Sequence, residues 1–257
     1  MNKIGLFFKR ILLTIWFYLG LIWYVGIYGT WVIIRSKIIE KTKGKEKAEE
    51  YIINVLKKFG KNAFKLMGVK VYVESEFDLS QMGDEAYMIV ANHQSLLDIP
   101  LIIGYVFPTA FIAKKELSKV PIVSFFIKAL GSVFIERGNA TQSAKALREL
   151  RKKLIDGQKL VLFPEGTRTL DGEVKPFKRG SLMIPYRYKV KILPVAIDGA
   201  YEIAKKGRLY ITPHPINITI FKPVNPEEFG SEAELRDYIY KLIASKVNKK
   251  EEFEEVV

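Results

Sequence analysis

From Ile11 to Ile34 the chain runs 24 residues without a charge, ILLTIWFYLGLIWYVGIYGTWVII, and no other feature restricts its folding as much. As one helix the run would reach about 36 Å against a hydrocarbon core of about 30 Å, long enough to cross a bilayer. So many large apolar side chains leave no polar face, which argues against a buried helix in a soluble core. A cleaved signal peptide is a poor match, because the run exceeds the usual apolar region and no clean small-x-small site follows it.

Two features favour lying within one leaflet over spanning. All three tryptophans (Trp16, Trp23, Trp31), with Tyr18, Tyr24 and Tyr28, are scattered along the run, whereas spanning helices hold such rings at their two ends. Both flanks are basic, with Lys3, Lys9 and Arg10 before and Arg35, Lys37, Lys41, Lys43, Lys45 and Lys47 after, so positive charge orients no single crossing. A helix, a bend near Gly20, Gly26 or Gly29, and a second helix would return both flanks to one anionic surface. Residues 35–70 carry eleven Lys or Arg and four Glu around apolar positions at helical spacing, including Tyr51, Ile52, Val55, Leu56, Phe59 and Phe64. They read either as one or two amphipathic helices at the membrane surface or as ordinary helices with a solvated charged face.

Beyond residue 68 short β-branched runs alternate with helical stretches. Strands are expected at Val69–Glu74, Ala86–Ala91, Thr109–Ala113, Ser132–Glu136, Lys159–Phe163, Val190–Ile197, Arg208–Ile211 and Asn217–Phe221. Helices are expected at Leu96–Val106, Ile122–Leu130, Thr141–Asp156, Arg179–Tyr188 and Ala233–Val247. This predicts an α/β domain over 68–257 with a mixed, mostly parallel sheet flanked by helices, preceded by membrane-binding helices over 1–67 and ending in a frayed acidic tail.

Composition narrows the chemistry. The chain has no cysteine, which excludes thiolate nucleophiles and cysteine-ligated zinc, and its two histidines, His93 and His214, are too few for a histidine-rich metal centre. A net charge of +13 draws it to polyanions, but no helix-turn-helix, zinc finger or RNA-binding aromatic signature supports nucleic acid.

Three runs carry candidate chemistry. In Asn92-His93-Gln94-Ser95-Leu96-Leu97-Asp98, five residues of helix would turn His93 and Asp98 about 140° apart, so they meet only if His93 is on the loop and Asp98 in the first helical turn. The carboxylate could then fix the imidazole tautomer and leave the other nitrogen as a general base; Ser95-x-x-Asp98 reads equally as a helix capping box. Phe163-Pro164-Glu165-Gly166-Thr167-Arg168 follows an expected strand, where open α/β sheets bind ligands. Arg168 offers a planar fork for phosphate or carboxylate, and Gly166 permits close backbone approach. Alternatively the run is a β-turn whose Glu165 and Arg168 pair with each other. Gly131–Arg137 is a strand ending in an arginine.

With Leu193-Pro194-Val195, Lys114-Lys115-Glu116-Leu117 and Phe177-Lys178-Arg179-Gly180, these runs have an order that resembles the glycerolipid acyltransferase family, most closely its 1-acylglycerol-3-phosphate (lysophosphatidic acid) acyltransferases. The resemblance covers about Tyr87 to Ala200, and Thr169 departs from the Ser of many members. It implies a base at His93 oriented by Asp98, and a glycerol-phosphate site of Arg137, Glu165, Gly166, Thr167 and Arg168 with Lys114 as a further phosphate contact. It also implies no cofactor and no metal, with acyl-CoA or acyl-carrier protein as donor, lysophosphatidic acid as acceptor, and attachment to the cytoplasmic face of the inner or plasma membrane. No covalent acyl-enzyme is required, and no Gly-x-Ser-x-Gly elbow is present. The rival readings are the same chemistry on another acceptor, such as glycerol-3-phosphate, another lysophospholipid or an acylated amino acid, and a non-catalytic membrane lipid-binding protein.

Overall fold

The computed structural model describes residues 3–136, 140–205 and 207–248, with the backbone alone for residues 3–7, 9–10 and 140–147. Arg137 and the acidic tail lie outside the described residues.

The uncharged run is helical throughout. Helix α1 (Lys3–Leu21) passes through a π-helical segment, Ile22–Tyr28, into α2 (Gly29–Lys43) without leaving helical dihedrals, Gly29 itself having φ −59° and ψ −42°. The bend expected near Gly20, Gly26 or Gly29 is therefore absent. A glycine inside a helix costs only about 1 kcal/mol, and the π segment keeps the backbone hydrogen-bonded. The chain reverses instead at Gly44, whose φ of 91° belongs to the region that favours glycine.

After that reversal α3 (Lys45–Leu66) runs back antiparallel to the long helix. Arg35 lies over the Tyr51 ring at 5.4 Å, Tyr24 meets Phe59 at 5.1 Å, and the Trp16 indole donates to the Leu66 carbonyl at 3.1 Å. The apolar positions of α3 (Ile52, Leu56, Phe64) are buried, so its charged face is solvated and its apolar face packs on protein. At Gly60 the packing is backbone to backbone: a Cβ there would fall 2.5 Å from the Pro100 carbonyl oxygen and 2.7 Å from Gly104 Cα. The outer side of α1 and α2 presents Leu12, Leu19, Ile22, Trp23, Ile27 and Ile34, each more than half exposed. Among the described residues, Ile11–Lys43 is the one helix long and apolar enough to cross a membrane by length and composition.

The sheet is mixed and mostly parallel. Strands β1 (Val71–Ser75), β2 (Tyr87–Ala91), β5 (Leu160–Leu162), β6 (Lys191–Asp198) and β7 (Ile216–Ile220) lie in the order β1-β7-β6-β2-β5, with only the β6–β7 pair antiparallel. A parallel pair, β3 (Ile112–Lys114) and β4 (Val133–Ile135), adjoins β5 through a parallel bridge from Ala110 to Leu160. Helices α4 (Asp98–Leu101, continued by a π turn over Ile102–Val106), α5 (Pro121–Ala129), α6 (Ala140–Ile155), α7 (Met183–Arg187), α8 (Ala200–Ile203) and α9 (Glu232–Val247) complete the α/β unit. The entirely buried β2 and the apolar β6 form its centre, as expected where both faces of a parallel region are covered.

No strand forms at Arg208–Ile211. The Ile211 amide donates to Thr14 Oγ1 at 3.0 Å and the Leu209 carbonyl accepts from the Tyr18 hydroxyl at 3.0 Å. Side chains of α1 thus satisfy backbone groups that a strand partner would otherwise take.

Candidate active site

Parallel pairing of β2 with β5, and of β3 with β4, brings the carboxyl ends of these strands to one edge. There the loop after β2 carries His93, the loop after β5 carries Glu165 to Arg168, and β3 ends in exposed Lys114.

His93 and Asp98 meet as the spacing requires. His93 lies on the loop and Asp98 is the first residue of α4, with Nδ1 2.7 Å from Asp98 Oδ2. The Asp98 side chain is fully buried and the imidazole 18% exposed, and the ring stacks on Phe163 with centroids 4.3 Å apart. The Ser95-x-x-Asp98 capping box does not form, because the residue that caps α4 is Leu97, with no side-chain cap. Asp98 Oδ2 also accepts from the Gln94 and Ser95 amides at 2.7 and 2.9 Å, while Ser95 Oγ accepts from the Leu97 amide at 2.9 Å. One carboxylate therefore orders the loop and orients the ring through Nδ1.

Glu165 is turned to the main chain. Its side chain is buried, and its two oxygens accept from main-chain amides, Oε1 from His93 at 2.7 Å and Oε2 from Lys175 at 3.1 Å. Burial pushes its pKa up to about 6, against the pull of those two amides. The alternative pairing of Glu165 with Arg168 does not form; the carboxylate is turned to the His93 and Lys175 amides instead.

Gly166 has φ 70°, and the Lys178 side chain lies across it so closely that a Cβ would fall 2.6 Å from Nζ. Thr167 and Arg168 are half-buried in the same loop, whose Thr169 amide donates to the His93 carbonyl at 2.9 Å. Lys178 was visible in the sequence only as part of the Phe177–Gly180 run, since nothing local places a lysine over a glycine twelve residues earlier.

Asn92 stood in the His93 run without a role of its own. It is buried and exchanges two 2.8 Å hydrogen bonds with the Ile197 backbone on β6, fixing the His93 loop to the neighbouring strand. A polar residue ending an apolar strand was its only signal. The amides of His93, Gln94 and Ser95 are committed to carboxylates and that of Gly166 to the Phe163 carbonyl, so none of these four supplies an oxyanion hole.

Beside the His93 loop is an apolar cavity of about 310 Å³, walled by Leu96, Ile99 and Phe111 and by Tyr24, Val32 and Phe59 of the helical hairpin. A larger groove of about 740 Å³ is polar, lies over β1 and β7 and is not lined by His93. The apolar cavity has the size and lining for a hydrocarbon chain.

The acyltransferase family model matches residues 69–198. The 1-acyl-sn-glycerol-3-phosphate acyltransferase of Helicobacter pylori is 36% identical over 143 residues, covering 54% of this chain and 58% of that protein. The probable 1-acyl-sn-glycerol-3-phosphate acyltransferase of Mycoplasma pneumoniae is 33% identical over 179 residues, covering 64% of this chain and 65% of that one. The chain spans about half the length of the first curated relatives it matches, 50% of the coconut (Cocos nucifera) 1-acyl-sn-glycerol-3-phosphate acyltransferase and 44% of those from Chlamydomonas reinhardtii and Brassica napus. Agreement is fuller with the crystal structure of the 1-acyl-sn-glycerophosphate (LPA) acyltransferase PlsC of Thermotoga maritima, at a TM-score of 0.84 and 41% identity over 94% of this chain and 95% of that one. On its motifs, fold and extended similarity, the chain belongs to the acyltransferase family.

Proposed function

We propose that the protein transfers a fatty acyl group from an acyl thioester to the 2-hydroxyl of lysophosphatidic acid, giving phosphatidic acid. The observation that carries this reading is the 2.7 Å contact of His93 Nδ1 with buried Asp98, beside a cavity fit for an acyl chain. The activity for which the relatives are named supports the choice of acceptor. His93 Nε2 takes the hydroxyl proton as that oxygen attacks the thioester carbonyl; the C–S bond then breaks and the imidazolium returns the proton to the leaving thiolate. Asp98 steadies the imidazolium between these steps.

Lys114, Arg137, Thr167 and Arg168 hold the acceptor phosphate, and Gly166 gives the Lys178 side chain room to bring a further cation to the same loop. The donor is acyl-CoA or acyl-carrier protein, and no cofactor takes part.

The helical hairpin anchors the enzyme in one leaflet at the cytoplasmic face of the inner or plasma membrane. In support, Leu13 and Phe17 of α1 pack on the α/β core while the opposite side of the helix is an exposed apolar stripe. A helix lying along the bilayer surface needs such two-sidedness, and one surrounded by lipid does not. Purified enzyme in mixed micelles, given labelled lysophosphatidic acid, glycerol-3-phosphate and zwitterionic lysophospholipids with each donor, tests the assignment. Turnover should be fastest with lysophosphatidic acid; preferential turnover of another acceptor refutes it.

A further inference from the structure

We propose that Glu165 is a positioning residue that acts through His93, not a ligand of the acceptor headgroup. The inference rests on the general-base reading of His93. Seventy-two residues separate the two in sequence, yet Glu165 Oε1 accepts the His93 amide at 2.7 Å. Its other oxygen accepts the Lys175 amide at 3.1 Å, and the carboxylate is 4% exposed. The same loop also grips the other side of the His93 backbone, through the Thr169 amide on the His93 carbonyl at 2.9 Å. The segment Glu165–Thr169 therefore clasps the peptide groups on both sides of the base.

Electrostatics points the same way. A carboxylate turned toward a phosphate would repel it. Turned toward two amides, the same charge strengthens both hydrogen bonds. Asp98 already fixes the His93 ring and the next two amides; Glu165 fixes the one amide of the His93–Ser95 stretch that Asp98 does not reach. Misplacing a reacting group by about 1 Å can cost on the order of 10²-fold in rate, so the clasp belongs to catalysis though it touches no substrate.

The test is Glu165→Gln, with Glu165→Asp as the second variant. Glutamine presents one acceptor and one donor to two amide donors; aspartate keeps the charge but is a methylene short of the His93 amide. Steady-state kinetics should give a kcat lowered about 10²-fold with the KM for lysophosphatidic acid within about twofold of wild type. Hydrolysis of the acyl thioester by water, which needs the base and no acceptor, should fall in parallel. In ¹⁵N-histidine-labelled protein without substrate, the His93 ring signals should move while those of His214, exposed on another loop, stay fixed and report an intact fold.

A KM raised about tenfold or more with kcat, hydrolysis and His93 signals unchanged would overturn the proposal and make Glu165 a substrate contact. If Gln does not fold, Asp decides by the same readouts. His93→Ala separates the two hypotheses: full activity there refutes the general-base reading, whereas loss there with an active Glu165→Gln refutes only the positioning role.

Discussion

Replacing Asp98 by asparagine removes one charge from the interior and almost no volume. The carboxylate is fully buried, 2.7 Å from His93 Nδ1. When His93 takes the substrate proton the ring becomes cationic, and a charge pair about 4 Å apart at an effective dielectric of about 20 is worth roughly 4 kcal/mol. Losing it should lower kcat by about 10³-fold.

The same oxygen accepts the Gln94 and Ser95 amides. An asparagine oxygen can take its place, but hydrogen bonds to a charged acceptor are about twice as strong as neutral ones, so the loop should lose about 2–3 kcal/mol. For a chain of this size that is a melting temperature lower by about 4–12 °C. Acyl transfer and thermal unfolding of the same preparation, assayed well below its Tm, separate the two effects. A folded Asp98→Asn enzyme within about fivefold of wild-type kcat would refute the electrostatic role and leave Asp98 as a residue that orders the loop before α4.

The raised Glu165 pKa, about 6 against the usual 4.5, means that ionising this group costs the folded state about 2 kcal/mol more than the unfolded one. Its contribution to stability should therefore fall as pH rises between about 4.5 and 6 and then level off, and the Tm difference between Glu165→Gln and wild type should shift in favour of Gln across that window; a constant difference refutes the burial argument. Arg168→Ala should impair turnover of lysophosphatidic acid far more than co-sedimentation with anionic vesicles, since bulk attraction is spread over many cations at about 1 kcal/mol each; equal falls reduce Arg168 to part of the basic surface. Deleting residues 1–34 should release or aggregate the protein, and protease protection of tags before Lys3 and at the C-terminus should be the same; opposite protection means that the helix spans. Gly60→Leu should lower the Tm by several degrees because any side chain there meets backbone at 2.5 Å; melting at the wild-type temperature would refute the backbone contact.

What can be read along the chain is what depends on short stretches of it. Hydrocarbon length and absence of charge marked Ile11–Ile34, and β-branched runs marked β2, β5 and β6, because burial on both faces leaves an apolar signature in each strand. The spacing of His93 and Asp98 required a loop followed by a helix start, and both are present. Arg208–Ile211 shows the limit: its composition suits a strand, but strand identity depends on a partner, and the partner here is a helix nearly two hundred residues earlier.

The sequence by itself thus determined the class of fold, the presence of a long apolar N-terminal helix and the side chains available for chemistry, since all three follow from local composition and periodicity. The tertiary structure alone decided that the chain reverses at Gly44, that Gly60 and Gly104 bring two helices into backbone contact, and that Glu165 serves the His93 amide. Each of these depends on which distant groups come within about 3 Å, and hydrogen bonds and packing act only at that range.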